Sequence, residues 1–81
     1  MRFEFSGSAL EQYESLSAVL QKATDKQIAY LINDIRYPSL HAKKYDEATG
    51  LWQARINKSW RFYFVIVEDT YYIVSIKRHL K

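Results

Sequence analysis

Leu51-Trp52-Gln53-Ala54-Arg55-Ile56 and, after Asn57-Lys58-Ser59, Trp60-Arg61-Phe62-Tyr63-Phe64-Val65-Ile66-Val67 decide how this sequence is read. Both runs alternate with the two-residue side-chain period of a β-strand. One face collects Trp52, Ala54 and Ile56 with Trp60, Phe62, Phe64 and Ile66; the other collects Leu51, Gln53 and Arg55 with Arg61, Tyr63, Val65 and Val67. A third run, Tyr71 to His79, sets Tyr72, Val74 and Ile76 against Tyr71, Ile73, Ser75, Lys77 and His79. The connections, Asn57-Lys58-Ser59 and Glu68-Asp69-Thr70, are short enough that the three strands form an antiparallel meander.

Toward the amino terminus the pattern changes. Ser39 to Gly50 is a polar stretch without alternation, and before it Ile28, Leu31, Ile32 and Ile35 recur at helical spacing until Pro38, which pushes the residue before it out of helical geometry. Leu10, Tyr13, Leu16 or Ser17, and Leu20 mark another helix. Ser8 and Glu11 have the spacing of a capping box at its start, and Thr24-Asp25 offers a cap between the two helices. Phe3 and Phe5 alternate with Arg2 and Glu4, which predicts a short strand over residues 2 to 5, broken by Ser6-Gly7-Ser8. The order is β-α-α-β-β-β. It predicts an α+β fold, a helical hairpin packed on an antiparallel sheet, in one domain over residues 1–81.

An 81-residue chain buries roughly 60% of the surface its unfolded form exposes, so its core has to be rich. It is: 48% of the residues are hydrophobic and 16% aromatic, with only two glycines and one proline, which excludes an intrinsically disordered class. Without cysteine there is neither a disulfide framework nor a thiolate metal site. The two histidines, His41 and His79, cannot close a zinc site with histidine and cysteine alone. No metal or cofactor is called for. The amino-terminal residues do not read as a signal peptide, nor any stretch as a membrane span, so a cytoplasmic location is expected. Charge is uneven: residues 1–35 sum to −2 and residues 36–81 to +5. A basic half suits a nucleic acid or an acidic protein partner.

If the helices cover the aromatic face, the opposite face gathers Gln53, Arg55, Arg61, Tyr63, Lys77 and His79 on one exposed surface. From residue type alone, Arg55, Arg61 and Lys77 also read as solvated strand cations, His79 as a tail residue, and Lys43-Lys44 as solubilising loop charge. Trp52 and Trp60 have the parity of core residues rather than of base-stacking platforms.

The segments Gly50 to Ile56, Trp60 to Phe64 and Ile73 to His79, preceded by a strand and two helices, resemble the RelE/ParE toxins over nearly the whole chain. The family's pattern is a strand ending in a basic residue plus an aliphatic, a strand opening on arginine, and a last strand ending near histidine. From Gly50 to His79 the YoeB-like version lies on this chain without a gap, which implies that Arg61 is a catalytic arginine and His79 a catalytic histidine. By the RelE-like version Arg55 falls on a catalytic lysine, and Lys77-Arg78 lies near a catalytic arginine. The YoeB-like general-base glutamate falls near Ala42, with Asp46 and Glu47 in the neighbouring loop, the terminal tyrosine on Leu80, and the RelE-like second lysine on Gln53.

The resemblance implies a toxin that cuts messenger RNA on the ribosome without a metal and is neutralised by a cognate antitoxin, in a toxin-antitoxin hetero-oligomer. Such cleavage needs a base for the ribose 2′ proton, positive charge on the phosphorane, and an acid for the departing 5′ oxygen. Arginine suits the phosphorane because its planar fork stays charged, and Arg61 and Arg55 take that role. Histidine changes protonation near neutral pH, so His79 is the candidate acid or base, with its partner open among Tyr63, Glu47 and His41. Lys77, Arg78, Lys43, Lys44, Gln53 and Tyr63 are candidate substrate contacts. Two other functions fit the family: a ParE-like inhibitor that binds DNA gyrase without catalysis, and an inactive member that retains only antitoxin binding.

Overall fold

The computed structural model describes residues 1–79. A five-stranded sheet, order β1-β5-β4-β3-β2, is built from β1 (Arg2–Phe5), β2 (Lys43–Asp46), β3 (Leu51–Arg55), β4 (Trp60–Val67) and β5 (Thr70–Arg78). Two helices, α1 (Gly7–Glu14) and α2 (Ala18–Asn33), and a 3-10 turn over Pro38–Leu40 complete the chain. Among the described residues no helix is long and apolar enough to cross a membrane.

The helices lay Ala9, Ile28 and Leu31 onto Ala54, Phe62, Phe64, Ile73 and Ile76, all buried. Burial of a large side chain such as Phe62, Phe64, Leu31 or Ile73 contributes about 1.5–3 kcal/mol each. The β3–β4 connection is an Asx-type turn in which Asn57 Oδ1 accepts from the N–H of Ser59 at 2.8 Å and of Trp60 at 2.9 Å. The β4–β5 turn places Glu68 in the left-handed region (φ 55°), as tight hairpins require.

The α+β arrangement of a strand, two helices and a meander is as the pattern predicts, with six differences. The sheet is mixed rather than antiparallel, because β1 runs parallel to β5 with Arg2 opposite Thr70 and Phe5 opposite Ile73. Four alternating residues carry no mark of strand direction. The polar stretch also hides an additional strand: β2, Lys43-Lys44-Tyr45-Asp46, is exposed at every residue and lies on the sheet edge, where lysines and a bulge between Lys44 and Asp46 discourage further pairing.

The helix boundaries differ as well. The first helix is capped by Ser6, not Ser8. The Ser6 hydroxyl accepts from the Ala9 N–H at 3.1 Å and donates to the Val74 carbonyl at 3.2 Å, so one side chain caps α1 and ties it to β5. The break between helices falls at Ser15-Leu16-Ser17 rather than at Thr24-Asp25, with Ser17 capping α2. Thr24 sits inside α2 because its hydroxyl bonds back to the Leu20 carbonyl at 2.8 Å, and Asp25 is occupied by the Tyr13 hydroxyl at 2.6 Å. Nor does Pro38 stop the helix: α2 ends at Asn33, and Pro38 opens the 3-10 turn.

The last difference concerns β5. Strict alternation from Ile76 predicts Val74 and Tyr72 in the core, yet Ile73 and Tyr71 are buried there. Phe62 faces Ile76 and Tyr63 faces Ser75, but Phe64 faces Ile73, so Val74 is an extra residue in β5. A bulge of this kind reverses the parity of everything beyond it.

Candidate active site

Strand register decides which polar side chains share the sheet face turned away from the helices. Arg55 on β3 stands opposite Arg61 on β4, and Arg61 opposite Lys77 on β5; the neighbouring row is Lys43, Gln53, Tyr63 and Ser75 across β2 to β5. Two of the residues expected on an exposed surface are buried instead. Arg61 is 7% exposed and Gln53 9%, because the polar face is a concavity and not a flat sheet.

A pocket of about 350 Å³ is lined by His41, Ala42, Lys43, Gln53, Ala54, Arg55, Arg61 and His79. A hollow of about 530 Å³ adjoins it at Arg55, Lys58, Ser59, Arg61 and His79. Arg55, Arg61 and His79 border both, so they occupy the junction of one continuous groove.

Arg61 is held by the turn it follows. Its Nη1 donates to the carbonyls of Asn57 at 2.8 Å, Trp60 at 3.1 Å and Lys58 at 3.2 Å. The turn that reverses the chain therefore also immobilises the guanidinium. Among the described residues no ion pair involves Arg61 or Arg55, and no carboxylate side chain lines the groove. Burial, and then the neighbouring charge of Arg55, lower the Arg61 pKa from its ordinary value. Two facing guanidiniums without an acidic partner favour an anion with several oxygens, to which arginine's fork is matched.

His79 follows β5, and its N–H donates to the Ser59 carbonyl at 2.6 Å, so the end of the last strand closes over the β3–β4 turn. His41 reaches the pocket from the opposite side. It caps the 3-10 turn through its N–H to the Pro38 carbonyl at 3.2 Å and adopts a left-handed backbone (φ 45°). Gln53 Nε2 donates to the Tyr63 hydroxyl at 3.0 Å, Lys77 Nζ lies 6.0 Å from the Tyr63 ring centroid, and Tyr45 meets that ring edge-on at 5.2 Å. Tyr63 is thus a support beneath the neighbouring row and not a lining residue of the pocket.

Other candidates are not brought here. Lys44 pairs with Trp52 and places its ammonium 5.3 Å from that ring, with Glu47 4.0 Å away. Arg78 pairs with Trp60, one residue out of phase with Lys77. Asp46 accepts from the Ala48 N–H at 3.0 Å, and neither it nor Glu47 lines the groove. Leu80 lies outside the described residues.

Gln27 was not singled out by the sequence pattern. Its Nε2 donates to the carbonyls of Arg55 at 2.9 Å and Ser39 at 3.1 Å, while its Oε1 accepts from the Ser39 hydroxyl at 3.1 Å. One buried amide thus joins α2, the 3-10 turn that leads into His41, and β3 at Arg55. The signal is visible in hindsight: Thr24, Gln27, Ile28 and Leu31 share one helical face, so a glutamine interrupts an otherwise buried stripe.

No protein-family model and no curated protein matches this chain. Solved structures do. The YoeB/ParE toxin from Agrobacterium tumefaciens is similar at TM-score 0.82 and 15% identity, covering 99% of this chain and 100% of that one. The isolated E. coli RelE toxin is similar at TM-score 0.78 and 12% identity, over 99% of this chain and 85% of that one. The YoeB dimer from Staphylococcus aureus is similar at TM-score 0.67 and 27% identity, over 99% of this chain and 98% of that one. These matches cover 99% of the chain, the strand, both helices and the meander alike, and the chain has the fold of the RelE and YoeB toxin structures.

Proposed function

We propose that this chain is the toxin of a toxin-antitoxin pair and that it cleaves messenger RNA on the ribosome by metal-independent transesterification. The observation that carries this reading is the groove junction: a buried, turn-anchored Arg61 facing Arg55 beside His79, with no carboxylate side chain among the described lining residues. The two guanidiniums hold the non-bridging oxygens of the scissile phosphate and stabilise the charge that builds on them as the 2′ oxygen attacks. His79 moves a proton at one of the two reacting oxygens. Lys43, Gln53 and Lys58 line the walls along which the RNA backbone runs. The ribosome supplies alignment, which accounts for much of the rate of such reactions. A cognate antitoxin neutralises the toxin by covering this basic surface; that similar structures were solved as RelB-RelE and YoeB-YefM complexes supports an antitoxin partner.

Expression of the wild-type chain and of an Arg61→Ala/His79→Ala double variant in bacteria, with primer extension on total RNA, tests the proposal. New 5′ ends inside translated messages with wild type, absent with the folded double variant, are the expected result. Growth arrest without new ends would overturn it and point to gyrase binding. Harmless expression would point to a member that retains antitoxin binding alone.

A further inference from the structure

The pocket contains two imidazoles, and only one of them is used by the reading above. We infer that His41 is the second proton-transfer group, so that His41 and His79 act at opposite ends of the scissile phosphate; this rests on the endoribonuclease reading.

Three observations carry it. The first is position: His41 and His79 line the same pocket of about 350 Å³, whose other side chains include Arg55 and Arg61. His79 enters from the end of β5 beside Ser59. His41 enters from the opposite side, two residues before Lys43, which pairs with Gln53 on β3. The arginine pair therefore stands between the two imidazoles. The second is elimination within the pocket. Of the open partners for His79, Glu47 lies beside Lys44 in the loop and Tyr63 is engaged with Gln53, and neither lines the pocket. Among the described residues no carboxylate side chain lines the pocket.

The third is the way His41 is held. Leu40, immediately before it, is fully buried, and Ser39 is bonded twice to Gln27, the residue that also grips the Arg55 carbonyl. The His41 backbone is left-handed, a conformation that costs a non-glycine residue energy and that histidine, asparagine and aspartate adopt more readily than most. A glycine would satisfy that turn without strain; the histidine adds an imidazole aimed from a fixed base.

The chemistry balances without a co-reactant. One imidazole, neutral, takes the 2′-hydroxyl proton as the O2′–P bond forms. The other, protonated, donates to O5′ as the P–O5′ bond breaks, leaving a 2′,3′-cyclic phosphate and a 5′-hydroxyl. The two histidines end with their protonation states exchanged, and solvent resets them.

The test uses His41→Asn, which tolerates the left-handed backbone but cannot shuttle a proton, and His79→Gln. Single-turnover cleavage is followed on bacterial ribosomes programmed with a message whose cut site was first mapped with wild type. A second message carries sulfur in place of O5′ there, a leaving group that needs no proton. Each variant, its thermal unfolding unchanged, is expected to lose about 10²–10⁴-fold on the natural message. The sulfur message is expected to restore one variant and not the other, which names the acid and the base. His41→Asn cutting within about threefold of wild type would overturn the inference while leaving the nuclease reading intact. Restoration of both variants, or of neither, would also overturn it, since the two would not then act at opposite ends. If wild type cuts neither message, the nuclease reading itself fails and this inference with it.

Discussion

The side-chain amide of Gln27 donates to the backbone carbonyl of Arg55 at 2.9 Å, joining residues 28 positions apart. With its two bonds to Ser39, this contact sets the separation between β3 and the segment carrying His41.

Gln27→Met keeps most of the volume and removes every hydrogen bond. It should cost about 1–3 kcal/mol in urea unfolding, because it strands the Arg55 carbonyl in a buried site. It should also lower RNA cleavage although Gln27 touches no substrate. Unchanged stability would mean that water replaces the amide.

Arg61 has a structural half and a chemical half, and two substitutions separate them. Lysine can reach the turn carbonyls with its ammonium but lacks the planar fork. Arg61→Lys should therefore unfold within about 1 kcal/mol of wild type while losing about 10²-fold or more in cleavage. Arg61→Met should lose the same activity and in addition about 1–3 kcal/mol of stability. Equal stability for the two variants would show that the carbonyl contacts contribute nothing.

The bulge in β5 makes adjacent residues unequal. Ile73→Ala should cost about 2–5 kcal/mol, as a cavity in a closed core does, and Val74→Ala less than about 1 kcal/mol. Chemical denaturation of both variants decides it, and the reverse ranking would restore strict alternation along β5.

How far the sequence was readable follows from what each element had to bury. Residues Leu51 to Phe64 were legible because their apolar side chains repeat every second residue on the face that packs under the helices; the repeat runs past the core at Ile66, which alternation places inside and the structure leaves exposed. Beyond Tyr63 opposite β5 the repeat breaks at a bulge, which has no side-chain signature, so Ile73 and Tyr71 took places that alternation allotted to Val74 and Tyr72. β2 was illegible since an edge strand exposed on both faces has no hydrophobic period to show. Of the site, Arg55, Arg61, Gln53 and Lys43 were legible as residues of suitable chemistry. Their enclosure in a pocket, and the presence of His41 in its wall, depend on a 3-10 turn and a buried glutamine that contact the strands only in three dimensions.

Tyr13 supplies a pH test on the helices. Its hydroxyl donates to Asp25 at 2.6 Å, and that hydrogen bond, reinforced by burial and the carboxylate charge, pushes its pKa up to about 12 from 10.0. A folded pKa above the unfolded one means that folding favours the protonated phenol. The contribution is complete below pH about 10 and is lost as pH rises toward 12. Tyr13→Phe should thus be less stable than wild type by about 1 kcal/mol at pH 8, with the gap narrowing through that window in urea titrations. A gap that stays constant would rule out the shared proton as its cause.

The parallel pairing of β1 with β5 has a bearing on how the protein is made. β1 leaves the ribosome before the other described strands, and its neighbour among them in the sheet is the last, β5, with Ser6 reaching 68 residues along the chain to Val74. Contacts of such separation form late, after the intervening chain has been released. Until β5 emerges, Arg61 lacks Lys77 beside it, and the Ser59 carbonyl lacks the N–H of His79. A ribosome translating this chain therefore carries an unfinished pocket until β5 has emerged, and the groove is completed by strands whose synthesis is separated by most of the described residues.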